Sequence, residues 1–177
     1  MRVIGGEFRS RRLKTPPGLA TRPTPDRLRE AVFNVIAPRL EGAVFLDAYA
    51  GSGAMGIEAL SRGARKAIFI EKNHGAIRVI RENLAALGVQ DRATVIHAQA
   101  APQISRYQAD IVFLDPPYEL QTEYGAALRA IGDSSPSLAL VQHPPRIELP
   151  EIAGVLHRTR VLKHGDNCVT FFEVSLP

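Results

Sequence analysis

Val44-Phe45-Leu46-Asp47-Ala48-Tyr49-Ala50-Gly51-Ser52-Gly53-Ala54-Met55-Gly56 begins as an apolar run, reaches an acid and then turns through three glycines. Ile57, Ala59 and Leu60 follow as the buried side of a helix would. The pattern predicts a buried strand, a tight turn and a helix N-terminus. Glycines at 51, 53 and 56 let a ligand lie against bare backbone there, because no Cβ intervenes. The G-x-G-x-x-G spacing alone would suit a dinucleotide. Asp47 changes that reading. A carboxylate beside the loop repels a pyrophosphate but can hold an ammonium, or the amino-acid end of a ligand through backbone and water. The expected ligand is a nucleoside that carries an amino acid and no phosphate, which describes S-adenosylmethionine.

A chain of 177 residues suits one domain with a small appendage. Its 45% hydrophobic and 23% charged residues fit a soluble globular protein, and no apolar run approaches a membrane span. The single cysteine, Cys168, excludes an internal disulfide framework and a cysteine-cluster metal site, so no metal is expected. With no signal-like apolar region after Met1, a cytoplasmic setting is the expectation. The charge is unevenly placed: residues 1–30 hold eight basic and three acidic residues, leaving a net −1 for the rest. A basic segment on a near-neutral body suggests an arm that meets phosphates.

Residues 1–14 read as two short strands, Arg2-Val3-Ile4 and Arg11-Arg12-Leu13-Lys14, around a turn. Thr15 to Pro25 is proline-rich and reads as a mobile loop. Thr24 reads as an N-cap, with Pro25 opening a helix over 25–37 whose apolar face carries Leu28, Val32, Val35 and Ile36. Arg27 and Arg29 fall outside that stripe. Strands are then expected at 44–48, 66–71, 93–97, 109–114 and 137–142, with helices at 73–87 and 119–131 and a short helical or irregular piece near 102–107. The tail, 155–162 and 168–174, should close the sheet as a hairpin around Gly165-Asp166-Asn167. The expected organisation is residues 1–24 as a basic hairpin and Pro-rich loop, and residues 25–177 as an α/β domain with a mostly parallel sheet.

In such a sheet, ligands sit beyond the carboxyl ends of the strands. Asp47, Glu71 and Asp115 all fall at such ends, so three acids should share one rim. Glu71 suits a carboxylate accepting both hydroxyls of a ribose. Gln99, just past the third strand, could meet an adenine amino group. Asp115-Pro116-Pro117-Tyr118 is the most specific signal. The lone pair of an exocyclic amine on a nucleobase is delocalised into the ring. Accepting hydrogen bonds from the amine protons localises it and aims it at a methyl donor. The Asp115 carboxylate and the Pro116 carbonyl could do this, Pro117 would stiffen the turn, and Tyr118 offers a ring on which a flipped-out base can stack.

Across nearly its full length the chain resembles the bacterial family of small-subunit ribosomal RNA guanine-N2 methyltransferases. The resemblance is carried by Arg2-Val3-Ile4-Gly5-Gly6, by Arg22-Pro23-Thr24-Pro25-Asp26-Arg27-Leu28-Arg29-Glu30-Ala31-Val32-Phe33-Asn34, by the run from Leu46 to Ala64, and by Asp115 to Tyr118. It implies a Rossmann-like seven-stranded methyltransferase sheet with a C-terminal antiparallel hairpin. It also implies S-adenosylmethionine as donor, with S-adenosylhomocysteine as product, and a guanine N2 of 16S ribosomal RNA as acceptor. The partner would be 16S rRNA or a small-subunit assembly intermediate, with no membrane, and the enzyme would act as a monomer. Asp47, Ala50, Gly51, Gly53, Glu71, Lys72, Gln99 and Asp115 would form the donor pocket. Asp115, Pro116 and Tyr118 would be catalytic, and Arg2, Arg9, Arg11, Arg12, Arg22, Thr24, Arg27 and Arg29 would bind RNA. The chain departs from the family at Gln99, where Asp or Asn is commoner, and at Gln142, where many members have Glu; no role is expected for Gln142.

Other readings share parts of this pattern. A DNA or RNA adenine-N6 methyltransferase would use the same motif, though DNA enzymes usually carry a target-recognition region that 177 residues hardly accommodate. Glutamine-N5 methyltransferases favour Asn at the first motif position. A cytosine-C5 enzyme would need a nucleophilic cysteine near the rim. A nicotinamide-dependent oxidoreductase would leave Asp115 to Tyr118 without a task. A non-catalytic RNA-binding module would not need an intact donor loop.

Overall fold

The computed structural model describes residues 1–18, 24–134 and 136–174. Helix α1 (Asp26–Leu40) precedes β1 (Val44–Ala48), α2 (Ala54–Ser61), β2 (Lys66–Glu71), α3 (His74–Leu87), β3 (Ala93–His97), α4 (Ala101–Ile104), β4 (Ile111–Leu114), α5 (Gln121–Ser134) and β5 (Leu138–His143). Three strands follow without a helix: β6 (Ile152–Ala153), β7 (Leu156–His164) and β8 (Asn167–Val174). The sheet order is β3-β2-β1-β4-β5-β8-β7-β6, parallel from β3 through β5 and antiparallel beyond. The sheet therefore has eight strands rather than the expected seven. Two-residue β6 is too short to show an alternating pattern in sequence.

Alternation along the strands divides the core between two faces. Leu46, Ile68, Val112, Ala139 and Val141 pack toward α4 and α5. Phe45, Ile111, Phe113 and Leu140 pack toward α1 and α2. The expected stripe on α1 broadens to include Phe33, Leu40 and Arg29, and Leu40's burial carries the helix past Pro38. Asn73 caps α3 by accepting from the Ala76 N–H at 3.0 Å, and Gly88 ends it in the left-handed region. No helix among the described residues is long and apolar enough to cross a membrane.

The N-terminal segment joins the core instead of standing off it. Val3, Phe8 and Leu13 are buried with Ile57, Leu60 and Leu84. The expected pair of strands reduces to one bridge, Arg2 to Arg12, with a few flanking backbone bonds. The cause lies on α2. Glu58 is fully buried, and its two oxygens accept the N–H groups of Ile4 and Gly5 at 2.9 and 2.8 Å. Ser61 takes the Phe8 N–H and donates to the Gly5 carbonyl. These bonds draw the chain onto the helix, so it does not extend into a ladder. Gly6 is required where it sits, because a Cβ there would overlap the Ser61 carbonyl.

Candidate active site

The rim is built where β1 and β4 run side by side and hand over to their loops. After Ala48 the chain turns through Tyr49, whose φ of 66° is left-handed without a glycine's freedom. The Tyr49 hydroxyl donates to Glu123 at 3.1 Å, which ties this strained turn to α5. The three glycines then differ in task. Gly51 has φ +55° and open space where a Cβ would go, so its backbone is uncovered on that side. Gly53 is left-handed at the helix entry. Gly56 is no part of a ligand cradle: a Cβ there would overlap the Phe69 ring, so this glycine serves packing of α2 on β2.

The three acids do converge. Asp47 is 2% exposed, and its Oδ2 accepts the Gly56 N–H at 2.9 Å. Burial pushes its carboxyl well above the usual carboxylate range; the Gly56 bond opposes this, and the charges of Asp115 and Glu71 add to it. Asp47 thus holds the loop from beneath. Glu71 ends β2 and grips the loop from the side, accepting from the Gly51 N–H with one oxygen and from the Asn73 N–H with the other, both at 2.8 Å. Each oxygen keeps a second lone pair, so two donor hydroxyls can still be met. Ala50 is buried and donates to the Ile70 carbonyl. Lys72 and Gln99 are exposed beside the ends of β2 and β3. The open backbone at Gly51 and the free capacity of Glu71 fit a nucleoside without phosphates.

Asp115 follows β4 directly and is half-buried, and burial lifts its carboxyl to about 7. The Pro116 carbonyl receives the Tyr124 hydroxyl at 3.3 Å, which leaves one lone pair for another donor. The Tyr118 hydroxyl donates to Asn167 Oδ1 at 2.7 Å. Gln142, Tyr124 and Asn167 are partners that sequence reading missed. Gln142 is the penultimate residue of β5 on the same rim, a placement its strand did signal, but nothing in sequence pairs it with Tyr118. Burial lowers the His143 pKa, and one ring nitrogen lies on the Pro144 carbonyl and the other on the Thr170 hydroxyl. A separate cleft of about 600 Å³ between α5 and residues 146–154 is lined by none of the donor-pocket residues.

The expected RNA contacts divide. Arg2, Arg9, Arg11, Arg12 and Arg27 are exposed. Arg11 also donates to the Ala86 carbonyl at 2.9 Å, and Arg2 lies 3.7 Å from Asp26. Arg22 lies outside the described residues, together with the rest of 19–23 in the loop expected to be mobile. Arg29 is a correction: it has no exposed surface and cannot reach a phosphate. It donates to the Arg2 carbonyl at 2.6 Å and to Asp26 at 3.0 Å, and its Nε lies 3.9 Å from Glu58. Arg29 is one of two cations beside the buried acid that anchors the N-terminal segment; the closer is Arg62, whose Nε donates to Glu58 at 2.8 Å. Thr24 is corrected as a cap: α1 begins after Pro25 without a side-chain cap, and the Thr24 hydroxyl donates to Gln142 Oε1 at 2.7 Å. That bond uses the one proton of the hydroxyl. Lys163 and His164, near the β7–β8 turn beside Asn167, are basic residues at the same rim that the N-terminal bias concealed.

Known proteins resemble this chain along most of its length. A family model described as "Conserved hypothetical protein 95" matches residues 1–173. The "Putative rRNA methyltransferase YlbH" of Bacillus subtilis is 37% identical over 185 residues, covering 98% of both chains. The "Ribosomal RNA small subunit methyltransferase D" of Escherichia coli K12 is 42% identical over 120 residues, covering 67% of this chain and 60% of that protein. A solved structure, "Putative methyltransferase yhhF from Escherichia coli", superposes with a TM-score of 0.86 at 33% identity, over 98% and 97% of the two chains. The chain belongs to the family described as "Conserved hypothetical protein 95", whose relatives bear the name of ribosomal RNA small subunit methyltransferase D, and it is a methyltransferase by fold and family.

Proposed function

We propose that this enzyme transfers a methyl group from S-adenosylmethionine to the exocyclic N2 of a guanine in 16S ribosomal RNA, in the cytoplasm and as a monomer. The observation that carries the reading is the meeting of Asp115 with Asp47 and Glu71 on one rim: the acceptor motif adjoins the nucleoside pocket. S-adenosylmethionine, when bound, supplies an electrophilic methyl group. Gly51 and Gly53 give its amino-acid end access to backbone, Glu71 meets the ribose, and Lys72 and Gln99 border the adenine. The Asp115 carboxylate and the Pro116 carbonyl accept the two amine protons of the base, which localises the nitrogen lone pair and directs it at the methyl. Tyr118 supports the face of the base. With its carboxyl near 7, Asp115 is also placed to take the proton that the amine loses as it is methylated. Arg2, Arg9, Arg11, Arg12 and Arg27 hold the RNA backbone, which brings the salt dependence of phosphate contacts.

Calorimetry with S-adenosylmethionine and with NADH separates this reading from a dinucleotide enzyme: micromolar binding of the first and none of the second is expected. Labelled methyl transfer to 16S rRNA from a strain that lacks the modification tests the chemistry. Wild-type transfer by Asp115→Ala would remove Asp115 from it.

A further inference from the structure

Three chain segments meet at the side chain of Gln142, the penultimate residue of β5, which has no exposed surface. The Thr24 hydroxyl donates to its Oε1 at 2.7 Å, and its Nε2 donates to the Tyr118 hydroxyl oxygen at 3.3 Å. That hydroxyl donates onward to Asn167 Oδ1 at 2.7 Å, at the first residue of β8. Every donor in the chain points the same way, so the bonds polarise one another. A flipped Gln142 amide would turn an oxygen toward Tyr118 and make its one proton choose between Gln142 and Asn167. The observed orientation instead gives each donor an acceptor of its own. Behind the network, the buried Tyr124 hydroxyl shares its proton between the carbonyls of Pro116 and Gln142, each at 3.3 Å. The end of β5 and the Asp115–Tyr118 loop are thereby one unit.

We infer that Gln142 and Asn167 are positioning residues for Tyr118, with Thr24 holding the far end of the Gln142 amide. A phenol held at its oxygen can spin about its own axis but cannot swing about χ1. The clamp therefore fixes where the ring lies relative to Asp115, three residues upstream, before a base arrives. The inference rests on the reading of Tyr118 as the platform for the target base. Thr24 also joins this clamp to the start of α1, two residues before Asp26, so the N-terminal part of the chain is coupled to the platform. No contact with the methyl donor is involved.

The test is a mutant cycle on the full chain, with kcat on unmodified 16S rRNA, donor affinity by calorimetry and a thermal melt for each variant. Gln142→Met keeps the volume and loses the amide; Asn167→Ala removes the acceptor; Tyr118→Phe removes the hydroxyl and keeps the ring. Gln142→Met and Asn167→Ala should each lower kcat by about five- to tenfold, the loss of one hydrogen bond's worth of positioning, with the donor Kd within about twofold of wild type. In the Tyr118→Phe background each should lower kcat by less than about twofold more, because its partner atom is already gone. Asn167→Asp, which keeps an acceptor oxygen, should recover most of the Asn167→Ala loss. Equal losses in both backgrounds would overturn the inference, as would wild-type kcat in either folded variant. If one variant does not fold, the other alone completes the cycle. Wild-type kcat for Tyr118→Ala is a different result: it would remove Tyr118 as the platform.

Discussion

Asp115 should make the protein less stable in order to make it active. Its carboxyl is raised from an ordinary 3.8 to about 7 by burial, so the folded state favours the neutral acid while the unfolded chain ionises near pH 4. Stability that is complete below about pH 4 is therefore lost as pH rises to about 7, and the loss is constant above that. A difference of about three pH units at about 1.4 kcal/mol each gives an upper bound of about 4 kcal/mol. The carboxyl is only partly shielded, which brings the working figure to about 2 kcal/mol. Asp115→Asn keeps the shape and cannot ionise, so it should recover that energy. For a chain of this size, about 2 kcal/mol corresponds to a rise in Tm of about 4–8 °C at pH 8. The assay is a series of thermal melts of wild type and Asp115→Asn, without donor, from pH 4 to pH 9. The gap should be near zero at pH 4, widen to pH 7 and stay flat beyond. A gap that does not change with pH, or a lower Tm for Asp115→Asn at pH 8, would refute the reasoning.

Methyl transfer by wild type should rise with pH through about 7, as Asp115 gains the charge it needs to accept the amine protons; a profile falling over that range would contradict this role. Asp115→Asn should lower kcat by about 10²-fold or more, measured by labelled methyl transfer, despite its higher Tm. The two glycines should separate cleanly. Gly51→Val strains a left-handed residue of the proposed donor loop and should weaken donor binding in calorimetry, whereas Gly56→Ala forces the Phe69 ring aside and should cost about 1–3 kcal/mol in a urea titration. The arginines should separate as well. Arg27→Ala should reduce the slope of log affinity against log salt by about one for rRNA binding, with an unchanged melt. Arg29→Ala should instead cost about 1–3 kcal/mol, because it takes the buried donor from the Arg2 carbonyl and one of two cations from Glu58, which keeps Arg62 at 2.8 Å.

What the sequence disclosed is what local pattern controls. The parallel half of the sheet follows from short apolar runs ending in acids, and the positions of Asp47, Glu71 and Asp115 on one rim follow from that topology. Arg29 shows where pattern fails. It lies off the apolar stripe of α1 and reads as a surface cation, yet the residue that buries it, Glu58, sits 29 positions away on another helix. No periodicity can report a buried ion pair between two amphipathic elements. Thr24 fails for a related reason: it fits the cap pattern, but Gln142 on β5 offers its hydroxyl a better partner than the backbone of α1 does. Gly56 was legible as a glycine of the motif and illegible as to purpose, since only the Phe69 ring reveals that it serves packing. Tyr49 carried no signal, because its left-handed backbone is a property of the turn rather than of the residue.

The central claim is that the rim holds the amine of a guanine in RNA. The most direct measurement is nucleoside analysis by mass spectrometry, after incubating the enzyme and labelled S-adenosylmethionine with small-subunit particles from a strain lacking the modification. The account predicts a single labelled nucleoside, N2-methylguanosine, released from 16S rRNA and missing when Asp115→Ala replaces the wild type. Label recovered as N6-methyladenosine, or in protein instead of RNA, would contradict it.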